Sequence, residues 1–170
     1  MTAHDADLQR YCELIIGAMR AHDTSAAVQQ AGLRAMFGAA SSCQGLLALG
    51  AGEVFARALL SHAGHAGVLD EGILVLAAIT RDRATHGPMG AAGACEALVQ
   101  ALSERLSADV DAKVVAGGLW AIYHLAADDA NRGRLSVAGA EELVLGIMQH
   151  YLEDGFVQGA GQQAATRLIQ

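Results

Sequence analysis

Histidines 62 and 65 stand three apart, a spacing that on one helix face would present two imidazoles to a metal ion. No thiol or carboxylate follows at ligand spacing, so the pair is read as polar residues at a helix end and no metal is expected. Ser41-Ser42-Cys43 and Ser61-His62 carry nucleophile-type side chains without the strand-turn-helix elbow that would activate them. Asp109-x-Asp111 and Asp128-Asp129 could attract a cation, but the glycine and terminal glutamate of a calcium loop are missing, which leaves them as helix ends. Gly50-x-Gly52 and Gly159-x-Gly161 lack the third glycine and the preceding strand of a dinucleotide loop, so no cofactor is expected. No residue is therefore assigned a catalytic role, and the chain is read as not an enzyme. Trp120 and His124, one helical turn apart, remain as side chains suited to recognition, together with Arg34, Arg81 and Arg167.

The elements that must position these residues are helices. The chain has 170 residues, 53% hydrophobic and only 4% aromatic, with a single proline and abundant alanine. That balance suits closely packed helices rather than strands, which favour aromatic and β-branched residues. Eleven basic against eighteen acidic residues give a net charge of −7, which argues against nucleic acid. The longest charge-free stretch, 35–52, is broken by Ser41, Ser42 and Gln44, so no membrane span is expected. Cys12, Cys43 and Cys95 are an odd set at wide spacing, read as free thiols. With no signal-type segment at the start, a cytoplasmic protein is expected, a nuclear location remaining open.

Four landmarks recur at steps of about 40 to 46 residues. One is a glutamate before an apolar run: Glu13, Glu53, Glu96 and Glu142. Each is read as a first-turn residue favoured by the helix dipole. Another is a valine four residues before a glycine, at Val28/Gly32, Val68/Gly72, Val114/Gly118 and Val157/Gly161. Gly-Ala turns precede three of the glutamates, at Gly50, Gly93 and Gly139, with Gly45, Gly87 and Gly133 shortly before them. Between landmarks the apolar spacing is helical, and a shorter helix fits before each turn, for example Asn131–Ala138 with Asn131 as its cap. The chain thus reads as one domain over 1–170, with three-helix repeats at 7–42, 43–83, 84–129 and 130–170.

The stretch from Asn131 to Val144, NRGRLSVAGAEELV, resembles the armadillo repeat's Asn-x-x-x-Leu/Ile-x-x-x-Gly-Ala entry into its second helix. Val114–Ala126, VVAGGLWAIYHLA, is similar to the family's third helix, and Val28-Gln29 and Val157-Gln158 carry the same opening pair. The resemblance spans roughly residues 7–170, with HEAT repeats as the near alternative. It implies an all-α, right-handed α-α superhelix of about four repeats, an armadillo-like solenoid whose third helices line a concave wall. It also implies a noncatalytic scaffold that binds a partner protein or peptide along that wall. The alternative is a structural segment of a larger protein, packing intramolecularly or associating end to end through its terminal repeats. Positions two and six after the small residue, usually Trp and Asn in the family, are Arg34, Leu74, Trp120 and Gln163, then Gly38, Ala78, His124 and Arg167. The asparagine ladder is absent, so the expected contact set is Arg34, Leu74, Arg81, Trp120, His124, Gln163 and Arg167.

Glycines 32, 72, 118 and 161 fall inside helices, at a cost of about 1 kcal/mol each relative to alanine. Close approach of a neighbouring helix is the expected reason; a kink at Gly117-Gly118 is the competing one.

Overall fold

A computed structural model describes residues 3–38, 47–106 and 110–170. Among these, every regular element is helical. They are α1 (Ala3–Ala21), α2 (Ala26–Gly38), α3 (Ala51–Ser61), α4 (Ala66–Ile79), a 3-10 turn (Arg83–Thr85), α5 (His86–Ala91), α6 (Ala94–Leu106), α7 (Ala112–Leu125), α8 (Asp129–Val137), α9 (Ala140–His150) and α10 (Gly155–Leu168).

The helices begin at two kinds of local start. Gly50, Gly93 and Gly139 hold φ of 74°, 90° and 85°, the left-handed region that glycine enters without a Cβ penalty, and α3, α6 and α9 start directly after them. Side-chain caps open α2, α4, α7 and α10. Ser25 Oγ accepts from Val28 N, His65 Nδ1 from Val68 N, Asp111 from Lys113 N, and Asp154 from Phe156 N and Val157 N. The four caps share one register, three residues ahead of the landmark valines.

Helices of equivalent register pack on one another in chain order. Helix α2 packs on α4, α4 on α7 and α7 on α10; α1, α3, α6 and α9 form a second series, and short α5 lies on short α8. The same hydrogen bonds tie the two series at both ends of the chain. Gln29 Nε2 donates to the Met19 and His22 carbonyls, and Gln158 Nε2 to those of Met148 and Tyr151. Each glutamine thereby pairs two carbonyls that the end of a helix leaves open.

The landmark glycines are sockets. A Cβ at Gly32, Gly72, Gly118 or Gly161 would stand 2.5 Å or less from Met19, Leu59, Leu102 or Met148 respectively. Each of those side chains is six residues after a landmark glutamate, so at all four landmark glycines one knob of the preceding helix fills one glycine hole. Leu59, Leu102 and Met19 are among the fully buried residues of a continuous apolar core that runs from Cys12 to Leu168. Helix α7 is continuous through Gly117-Gly118, so close approach rather than a break accounts for those glycines.

Three local expectations are corrected. Asn131 does not cap the short helix: α8 starts at Asp129, Asp128 accepts from Asn131 N, and the Asn131 side chain is buried, donating to the His86 carbonyl at 2.7 Å. Glu53, Glu96 and Glu142 do occupy first turns, but Glu13 lies mid-helix because α1 runs unbroken from Ala3. Gly87 and Gly133 are helical rather than breakers. Residues Ser41-Ser42-Cys43, Gln44, Gly45 and Asp109 lie outside the described residues.

Candidate functional site

The candidate site is built on the solvent side of the α4–α7–α10 series. Along α7, Val114, Val115, Gly118, Leu119, Ala121, Ile122 and Leu125 face the core, which leaves Trp120, Tyr123 and His124 on the partly exposed stripe. Helical spacing of three and four brings these rings together. Trp120 meets Tyr123 edge to face at 5.6 Å between centroids, His124 lies 6.2 Å from Trp120, and Tyr123 and His124 are 5.4 Å apart. From α10, Arg167 places its guanidinium carbon 4.6 Å from the Tyr123 centroid and donates from Nη2 to Tyr123 Oη at 2.9 Å. A cation held over an aromatic face by a hydrogen bond loses little rotamer freedom when it meets a ligand.

The end of α4 completes the cluster. Thr80 Oγ1 donates to Leu76 O, Thr85 Oγ1 to Ile79 O and Asp82 O, and His86 Nε2 to Thr80 O at 2.7 Å. These bonds fold the chain back after α4 and bring the buried His86 ring to 6.3 Å from His124. His124 is held below its ordinary imidazole pKa, first by partial burial and then by His86, Arg167 and the exposed Arg81. The imidazole is thus neutral at pH 7 and sits in a locally positive field within an acidic protein.

Of the seven residues expected at the site, the structure brings Trp120, His124 and Arg167 into direct ring or cation contact and sets Arg81 within electrostatic reach. Leu74 is half-buried on α4, its Cδ2 3.5 Å from where a Cβ on Gly117 would be, so it packs the α4–α7 joint. Gln163 is exposed on α10, one helical turn before Arg167. Arg34 is exposed on α2 but spends its charge on Glu71 of α4. Sequence reasoning missed Tyr123 and His86. Tyr123 was reachable from the register, since it stands between Trp120 and His124 on the same stripe; His86 was not, because a folded-back turn delivers it.

Other residues with chemical promise are used structurally. His62 Nε2 bonds the Asp23 carbonyl at 2.8 Å, and His65 caps α4. Arg105 of α6 pairs with Asp70 of α4, and Tyr151 after α9 donates to Val110 O before α7, so both tie together helices far apart in the chain. Burial pushes the Cys95 thiol up to about 12 and raises that of Cys12, which makes both poor nucleophiles. Among the described residues no group of three or more His, Cys, Asp or Glu could hold a metal, and no helix is long and apolar enough to cross a membrane. Compared with family models, curated proteins and solved structures, the chain matches none.

Proposed function

We propose that the chain is an armadillo-like α-solenoid of about four repeats, acting as a noncatalytic, cytoplasmic interaction scaffold that receives a segment of a partner protein across its third helices. Helices of equal register packing in chain order, with a glycine socket at the same position in each repeat, support the solenoid reading. The observation that carries the binding reading is the half-exposed Trp120–Tyr123–His124 array with Arg167 fixed upon it. Tryptophan, tyrosine and arginine supply large contact area with polar tips and dominate binding energy where they cluster.

The test is affinity capture from lysate on immobilised protein, comparing wild type with Trp120→Ala/His124→Ala after circular dichroism shows equal helicity, followed by direct binding of each recovered protein. A partner held by the wild type and by Val137→Asp, on another helix, yet lost from the double variant, supports the reading. Identical capture by wild type and double variant, or none by either, defeats it.

A second reading has its own observation. Leu145 is 55% exposed on α9, whereas the register-equivalent Ile16, Ala56 and Val99 are 2%, 5% and 6% exposed. In the preceding repeats that position is covered by what packs next to it. A further repeat, or the end of another copy, covering Leu145 would make the chain a structural segment; concentration-dependent mass that Leu145→Glu abolishes is the sign of self-association.

A further inference from the structure

Resting on the binding reading above, we infer that the α4–α7–α10 face takes an acidic peptide segment, with a carboxylate seated among Arg81, His124 and Arg167 beside the Trp120 ring. Four observations converge. The Arg167 guanidinium is oriented by the Tyr123 hydroxyl and ring, and among the described residues no carboxylate pairs with it. Arg34, by contrast, is engaged with Glu71, Arg105 with Asp70 and Arg132 with Asp129. Arg81 is exposed at the end of α4, and both it and Arg167 are near enough to His124 to act on it. Finally, the rings of His86 and His124 lie edge to face at 6.3 Å, placing two imidazoles on the inner side of the same spot.

Charge complementarity selects the occupant. The whole chain carries −7, so an extended polyanion such as a nucleic acid meets repulsion outside this face, whereas a short acidic segment contacts only the cationic spot. Arginine held in a fixed orientation suits a two-oxygen carboxylate, since its donors form a planar fork. The half-buried Trp120 then covers the apolar part of a neighbouring peptide residue.

Trp120 is the single tryptophan, so its emission reports this face directly. The probes are two blocked, tryptophan-free octapeptides, one alternating Glu and Leu, the other with Gln at each Glu. The Glu peptide is expected to change Trp120 emission saturably at about 20 mM salt and to weaken markedly by about 0.3 M. The Gln peptide should bind at least about tenfold more weakly, and Arg167→Gln and Arg81→Gln should each weaken the Glu peptide by about threefold to tenfold. Arg167→Lys keeps a positive charge and should lose less than Arg167→Gln; Arg57→Gln, an exposed arginine on α3, should change nothing. Equal binding of both peptides overturns the charge assignment while leaving the binding face in place. Binding of the Glu peptide that Arg81→Gln and Arg167→Gln leave unaltered overturns it as well. Inorganic phosphate or a short single-stranded oligonucleotide competing better than the Glu peptide would show a phosphate site instead. No emission change with either peptide also overturns it, and the capture experiment, read separately, then shows whether the face binds a partner of other chemistry.

Discussion

Substituting Gly118 with alanine separates a packing role from a conformational one. An added Cβ would stand 2.5 Å from Leu102 Cδ2, 2.9 Å from Cδ1 and 3.0 Å from Cγ, so the whole isobutyl group is in the way rather than one flexible tip. Leu102 is 1% exposed and has little room to turn. Alanine brings about 1 kcal/mol of helix propensity over glycine, and forcing the α6–α7 joint apart costs about 1–3 kcal/mol. The net expectation for Gly118→Ala is a destabilisation of about 0–2 kcal/mol. Gly133→Ala is the reference, because Gly133 is exposed within α8 and nothing lies within 4 Å of its added Cβ; it should stabilise by about 0.5–1 kcal/mol. The two variants should therefore differ by about 0.5–3 kcal/mol, or up to several degrees in Tm for a chain of this length. The decisive arm is the Leu102→Ala background, itself about 2–5 kcal/mol less stable. There the obstacle is gone, and Gly118→Ala should become stabilising by about 1 kcal/mol, a change of sign that defines the coupling. Urea unfolding followed by circular dichroism at 222 nm gives all four corners of the cycle. If Gly118→Ala stabilises the wild type as much as Gly133→Ala does, or has the same effect in both backgrounds, the socket argument is wrong.

Three further outcomes are expected. Gly139→Ala should cost about 1–2 kcal/mol by backbone strain alone, since φ is +85° while the nearest atom to the added Cβ is 3.8 Å away; urea unfolding showing no loss would contradict the left-handed turn. Asn131→Ala strands the His86 carbonyl in the interior and should cost about 1–3 kcal/mol, with faster amide exchange in α5 and α8 as the local readout. His124 takes its proton at a lower pH in the folded chain than in the unfolded one, whose value is near the ordinary 6.5. The unfolded chain therefore binds more protons in that window, and stability should fall as pH drops through 6.5 toward the folded value, levelling below it. His124→Gln should flatten this part of the stability-pH curve, and an unchanged slope would sink the assignment.

The covering of α7 shows how the site divides between sequence and fold. The helical period identified Trp120 and His124 as neighbours on one stripe, and the Gly-Ala turns marked the starts of α3, α6 and α9, because these depend on residues close in sequence. Arg34 was expected among the partner-contact residues and is engaged with Glu71, a residue 37 positions away; no local pattern states which exposed charge a packed neighbour will meet. Asn131 was expected as a cap by its place before a short helix, yet Asp128 sits better for that role, and packing of α8 on α5 sends the amide inward.

By itself the sequence determined the helical class, the left-handed turns at Gly50, Gly93 and Gly139 and the spacing of the small residues at 32, 72, 118 and 161, all consequences of backbone preference and of apolar spacing along one chain. Only the tertiary structure decided which knob fills which glycine socket, that His86 reaches the edge of His124, and that Arg167 rests on Tyr123. Those pairings join residues 13 to 44 positions apart. They arise when packed helices find the spacing at which the core between them is filled, a condition on distance in space that no single segment of sequence contains.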